Sequence, residues 1–202
     1  GKNLLGWKVI PEKQKRTWTV RDGIFVASSD GGGSDLIWEG GKPADFEPKL
    51  QVRFRTAGHS GSQVRGRRRE GKQRRVNGYR ADVGNLVLGP QVLGAWDFHT
   101  PGRREHACFR GDRLVIDEND KPTLTKIKDA VTLKDINKGG WNDLHVIVKG
   151  NNFKFYINGK LSSEFTENLK KERRLHSGMI QLQLHDPGMI VKFRDLRIKV
   201  LK

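Results

Sequence analysis

The sequence predicts a single all-β domain, a sandwich or a barrel. Three observations carry that reading. Apolar residues recur at every second position in most patterned segments, which is the period of a half-buried strand. Turn residues punctuate these segments at close spacing. Helical patterning is confined to residues 132–137, one short turn and no more. The 202 residues are enough to bury a sizeable core, and five Trp and nine Phe argue for a packed one. No fixed-period repeat and no interdomain linker interrupts the chain, so residues 1–202 read as one domain.

Along the chain, Thr17-Trp-Thr-Val20 and Ile24-Phe-Val-Ala27 form a strand pair around Arg21-Asp-Gly. A glycine-rich connection, 30–34, leads to a strand at Leu36-Ile-Trp38. Over residues 45–55, Phe46, Leu50, Val52 and Phe54 share one parity; Glu47, Lys49, Gln51, Arg53 and Arg55 take the other. Pro48 cannot donate to a ladder, which suggests an edge or a bulge. Residues 78–84 and 141–149 alternate in the same way, and Phe153, Phe155 and Ile157 run into Asn158-Gly159, a strong hairpin signal. The return strand is 161–165, and 179–185 and 190–200 close the chain around Asp186-Pro-Gly188. Residues 56–77 and 97–140 lack a regular pattern and read as long loops, where function is often carried.

Lys and Arg number 39 against 23 Asp and Glu, a formal net charge of +16. Such an excess favours polyanionic partners. It is concentrated at 65–75, where Arg67, Arg68, Arg69, Arg74 and Arg75 read either as a solvated loop or as an anion-binding loop for sulfate, phosphate or carboxylate groups. No aromatic residues interleave with these arginines, so a specific nucleic-acid platform is not expected. No apolar run approaches the ~20 residues of a membrane helix, so no spanning segment is expected. A lone Cys108 excludes an internal disulfide framework and a cysteine-built zinc site.

The polar parity of the strands is the second source of function. Gln181, Gln183 and His185 lie opposite Ile180, Leu182 and Leu184; Arg80 and Asp82 lie opposite Tyr79, Ala81 and Val83; Arg53 lies opposite Val52. If these rows share one face, they line a groove of amide, guanidinium, carboxylate and imidazole groups suited to sugar hydroxyls. The solvent face of any antiparallel sheet alternates in the same way.

Several motifs together resemble a known family. Gly1-Lys-Asn-Leu-Leu-Gly-Trp7, Trp18-Thr-Val-Arg-Asp-Gly23, Asp45-Phe-Glu47, His59-Ser-Gly-Ser-Gln-Val-Arg65, Gly78-Tyr-Arg-Ala-Asp82, Trp141-Asn-Asp143, Leu182-Gln-Leu-His185 and Phe193-Arg-Asp-Leu-Arg-Ile198 are similar, in order and spacing, to signatures of the 3-keto-disaccharide hydrolases. The resemblance covers nearly the whole chain. It implies a concanavalin-like jelly-roll sandwich, an exported protein (periplasmic or extracellular) whose signal peptide has been removed, and a carbohydrate substrate. The chain departs from the pattern at His59, where the family has Asn. It departs again at Gly94-Ala-Trp96-Asp97-Phe98, where the acid after Asp is missing, and in the Arg-rich insertion.

The implied reaction cleaves a glycoside already oxidised at C3, by base-assisted elimination and hydration. It needs a base near neutral pKa and a cation or divalent metal at the enolate oxygen, rather than the paired carboxylates of ordinary glycosidases. His185 is the expected base, with Asp82 and Asp97 as further catalytic acids, bases or metal ligands. Arg53, Arg65 and Gln183 are expected to hold substrate, Trp96 to stack on a sugar ring from a long loop, and Tyr79 to add a contact. The same residues also allow a non-catalytic carbohydrate-binding module for anionic polysaccharide, sulfated or uronic.

Overall fold

Turn chemistry sets the hairpins. Asp22 and Gly23 have φ of 50° and 76°, and Asn158 and Gly159 have φ of 49° and 81°. Both central residues of each turn are thus left-handed, the geometry that matches the twist of the flanking strands. A computed structural model describes residues 2–68, 76–84, 92–100 and 105–201. Through them run fifteen strands: β1 (Trp7–Ile10), β2 (Trp18–Arg21), β3 (Ile24–Ser28), β4 (Ser34–Trp38), β5 (Phe46–Phe54), β6 (His59–Arg68), β7 (Val76–Gly84), β8 (Trp96–His99), β9 (Asp112–Ile116), β10 (Pro122–Lys126), β11 (Asn142–Lys149), β12 (Asn152–Ile157), β13 (Lys160–Glu167), β14 (Met179–Leu184) and β15 (Ile190–Val200). The described helical content is 3-10: Glu12–Thr17, Leu133–Asp135 and Lys171–Arg173.

The strands make two sheets. A six-stranded sheet has the order β1-β4-β14-β6-β7-β8, and a nine-stranded sheet has the order β10-β9-β13-β12-β11-β5-β15-β3-β2. Neighbours are antiparallel except β13 and β9, which pair in parallel. The inward rows are those that the alternation marks. Phe46, Leu50, Val52, Leu144, Val146, Val148, Phe153 and Phe155 come from the larger sheet. Leu36, Val64, Tyr79, Ala81, Ile180, Leu182 and Leu184 come from the smaller. They meet in one apolar cluster. Phe153 and Phe165 stack at 4.2 Å at its centre. That pair lies within the larger sheet, and Tyr79 of the smaller sheet packs on both rings. Burying a side chain of that size contributes about 1.5–3 kcal/mol, so contacts of this kind between the two inward faces hold the sheets together.

Three expectations change. Within the expected loop 56–77, residues 59–68 form β6 and 76–77 begin β7, while 69–75 lie outside the described residues; β6 is rich in Gly, Ser and Arg and hides its pleat from a hydrophobicity reading. Residues 97–140 hold β8, β9, β10 and a 3-10 turn. Pro48 lies in an interior strand, since β5 pairs with both β11 and β15. The β5–β11 ladder lapses between Lys49 and Phe46, so the missing N–H leaves no gap in a continuous ladder.

Candidate functional site

The outward face of the six-stranded sheet carries a polar row beside a small apolar cluster of Ile10, Ile37, Val76 and Met179. Asp35 on β4, Gln181 and Gln183 on β14, Gln63 on β6, Arg80 on β7, and Asp97 and His99 on β8 line one cleft with His185, of about 470 Å³. Two hydrogen-bond relays cross it from strand to strand. In the first, Gln181 Nε2 donates to Gln63 Oε1 at 2.6 Å and to Asp35 at 3.4 Å, and Gln63 Nε2 donates to the Val76 carbonyl at 3.3 Å. Gln181 Oε1 is left buried and unpaired. In the second, Arg80 donates to Gln183 Oε1 at 2.6 Å, to Asp82 at 2.9 Å and to Asp97 at 2.5 Å. Asp97 also lies 3.2 Å from His99 Nε2, and Glu105 lies 4.0 Å from the other ring nitrogen.

Gly61 makes the second relay possible. A Cβ there would stand 2.6 Å from Arg80 Cγ. With hydrogen in its place, the arginine lies across β6 and reaches Gln183 on β14. The Gln183 carbonyl is taken by that contact, so its amide N–H groups remain for a ligand.

His185 closes the cleft at the end of β14. Its Nδ1 lies 2.8 Å from Asp186 Oδ1. The other Asp186 oxygen accepts the His59 amide at 2.5 Å and lies 3.7 Å from His59 Nδ1. Partial burial pushes the Asp186 carboxyl up, but the hydrogen bonds from His185 and the His59 amide outweigh it and hold the pKa below the usual carboxylate range. An ionised Asp186 fixes the proton on His185 Nδ1 and leaves Nε2 as the basic nitrogen. The donor atoms of His59, His185 and Asp186 lie within 4.8 Å of one another, so a cation would be held here rather than by His185, Asp82 and Asp97. The last two share an Arg80 nitrogen instead.

Asp82 is buried behind this relay, and one of its oxygens is unpaired. Burial pushes its pKa up against the opposing pull of Arg80. Four other expected contacts are displaced. Tyr79 is fully buried; its hydroxyl donates to Glu167 at 2.6 Å, and it packs on Phe153 and Phe165. Trp96 lies on a strand rather than in a loop and is 2% exposed, with its ring against Phe153, Phe155 and Phe165. Arg65, at a β-bulge with φ of 49°, is turned away from the cleft. It donates to the Ala44, Gly150 and Leu175 carbonyls and to Asp45, which makes it a clamp between loops. Arg53 lies on the outer face of the other sheet, opposite Lys192. Arg67 and Arg68 are exposed at the end of β6, while Arg69, Arg74 and Arg75 lie outside the described residues.

The sequence reading missed Asp35, Gln63, His99 and Asp186 as neighbours of the expected base. The alternation of Trp96-Asp97-Phe98-His99 carried a signal for His99. Asp35 and Gln63 join only through cross-strand pairing, which one strand cannot reveal. A second, more apolar cavity of about 410 Å³, lined by Val52, Phe54, Leu144 and Ile157 among others, offers no comparable set of acids and bases.

A family model described as a 3-keto-alpha-glucoside-1,2-lyase-like domain matches residues 1–199. No curated protein matches the sequence. Among solved structures, a protein from Parabacteroides distasonis named as a candidate glycosyl hydrolase superimposes with a TM-score of 0.65 at 18% identity, covering 100% of this chain and 96% of that one. The carbohydrate-binding module CBM66 from Bacillus subtilis superimposes with a TM-score of 0.61 at 15% identity, covering 96% and 95%. A Bacillus subtilis protein of unknown function with a galectin-like fold gives 0.59 at 11% identity, covering 98% and 90%. At these identities the likeness is one of fold, the galectin- and concanavalin-like sandwich.

Proposed function

Because the chain belongs to the 3-keto-alpha-glucoside-1,2-lyase-like family, we propose that it cleaves glycosides whose sugar carries a ketone at C3. The ketone acidifies the C2 proton. His185 Nε2 takes that proton, and the C2–H electron pair passes to the C3 oxygen as an enolate, which then collapses to form the C1=C2 bond as the C1–O bond breaks. The leaving alkoxide takes up the proton that His185 has accepted. Water adds across the double bond afterwards, its hydroxyl to C1 and its proton to C2. The observation that carries the reading is the His185–Asp186 pair at the cleft wall. The ionised carboxylate keeps Nε2 basic and stabilises the imidazolium that forms. The Gln183 amide supplies a donor for the enolate oxygen, and its orientation is set by Arg80.

The same geometry favours a neutral sugar. All three contacts of the Arg80 guanidinium are made within the protein, two of them to carboxylates, and Asp35 and Asp97 line the walls. An acidic sugar would meet carboxylates there rather than a free cation.

The test is turnover of 3-keto glycosides beside their unoxidised parents, by the native protein and by His185→Ala. Aglycone release from the keto compounds alone, lost in the variant while calorimetric binding persists, is the expected result. Equal cleavage of the parent glycosides, or full activity of His185→Ala, would overturn the proposal.

A further inference from the structure

The outer face of the nine-stranded sheet, opposite the cleft, carries cations in an unusual register. Arg53 on β5 stands directly opposite Lys192 on β15, and Lys49 stands opposite Arg197. Like charges placed opposite each other across a ladder destabilise a sheet, and here two such pairs occur between the same two strands. A bulge adds to them. The β5–β15 register shifts between Arg194 and Arg197, around Asp195 at φ 53°. Without the shift, residues 192 and 194 would face away from 197 and 199. With it, Lys192, Arg194, Arg197 and Lys199 share the outer face.

Nearby acids offset this stripe only in part, with Glu47 opposite Lys199 and Asp195 beside Arg194. Glu47 is taken by His145 at 3.1 Å, and Asp143 accepts from Gln51 at 2.7 Å. Asp195 lies 3.8 Å from Arg194, whose guanidinium also sits 4.2 Å over the Trp141 ring. Among the described residues, Lys49, Arg53, Lys192, Arg197 and Lys199 have no carboxylate within ion-pair distance. Arg53 Nε is buried without a hydrogen-bond partner.

We infer that this face docks an acidic polysaccharide, whose carboxylate or sulfate groups lie between the paired cations of β5 and β15. The stretch of β15 from Lys192 to Lys199 spans about 20 Å, room for several sugar units side by side with the strand. The aromatic rings of this face are already engaged. Tyr156 stacks on His145 at 5.6 Å, and Trp141 is covered by Arg194. Bases would therefore find no free stacking platform, which favours a polysaccharide over single-stranded nucleic acid. The inference stands apart from the proposed reaction, because it uses the opposite sheet and none of the cleft residues.

The test measures binding of heparin, polygalacturonate, neutral dextran and DNA at low and moderate salt. The native protein is compared with Lys49→Gln/Arg197→Gln, Arg53→Gln/Lys192→Gln and a loop control, Arg67→Gln/Arg68→Gln. The expected result is salt-sensitive binding of heparin, polygalacturonate or both, weakened about tenfold or more by each sheet-face pair of substitutions and not by the loop control. Preference between the two polymers tells sulfate from carboxylate. Melting temperature is the readout for folding: relief of the like-charge pairs should leave it unchanged or raise it. The inference is overturned if neither acidic polymer binds, if both sheet-face variants bind like the native protein, if the loop control loses as much, or if DNA binds more tightly than either polymer.

Discussion

His185 and Asp186 are adjacent in sequence, yet their side chains meet, with the imidazole Nδ1 2.8 Å from a carboxylate oxygen. Neighbours on a regular strand point to opposite faces and cannot do this. The contact exists because β14 ends at Leu184 and the chain turns. The base is thus held by a turn and not by a pleat, and the His59 amide anchors that turn from β6 at 2.5 Å.

Asp186→Ala should keep the imidazole but release its tautomer. Turnover of a 3-keto glycoside is expected to fall roughly tenfold or more, by the general-base argument, with a smaller change in binding. Steady-state kinetics beside calorimetry separates the two. Unchanged kcat would show that the pair does not assist the base.

Arg80→Met removes the centre of the second relay and leaves Asp82 buried without its cation. Breaking a buried pair in this way costs on the order of 3–5 kcal/mol. Urea denaturation should show a loss of that size. Arg80→Lys should recover part of the stability but not the contact to Gln183, so its activity should stay low.

Much of this site was legible beforehand. The parity of Gln181, Gln183, Arg80 and Asp82 follows from the apolar residues between them, and the structure places them together on one sheet. Arg53 shows the limit of that argument, since parity tells which side of a strand a residue takes but not which sheet the strand joins. Arg65 escaped because a bulge turned it, and bulges leave no periodic trace. Trp96 was misplaced because a four-residue strand gives too short a pattern to separate from a loop, although its own alternation with Phe98 was present.

Tyr79→Phe tests the buried placement of that ring. The variant strips a 2.6 Å hydrogen bond from the Glu167 carboxylate. About 1–3 kcal/mol of stability should be lost. Activity per folded molecule should not change, whereas a substrate contact would show as a raised KM.

Cys108 is 1% exposed, and burial, followed by the charges of Asp112 and Glu164, raises its thiol pKa. Iodoacetamide should leave it unmodified in the native protein and alkylate it in denaturant, as mass spectrometry would show. Rapid native alkylation would contradict the packing of β8 and β9 around it.

Asp135 accepts from the Thr132 amide at 2.8 Å, from Lys160 at 3.0 Å and from the Thr132 hydroxyl at 2.8 Å, which together push its pKa down to about 2. A carboxylate depressed in the fold stabilises it above the unfolded pKa near ~3.9, and that contribution fades as pH falls through the folded value. The melting-temperature gap between the native protein and Asp135→Asn should therefore be full above about pH 4 and shrink towards pH 2. A gap that widened on acidification would contradict the assignment.

The extra residue in β15 gives the strand one place where it can change length without consequence. Beyond Asp195, facing depends on a count: Ile198 pairs with Pro48 and shares its inward side, while Lys199 pairs with Glu47. From Arg194 to Arg197 the strand takes one step more than its partner takes from Gln51 to Lys49. Deleting Leu196 would equalise the two counts, remove the bulge and leave Ile198 inward and Lys199 outward. A deletion beyond Arg197 has no spare residue to absorb it and would turn over whatever follows. Evolution can therefore shorten this strand by one residue at the bulge, but not past it, without turning its end inside out.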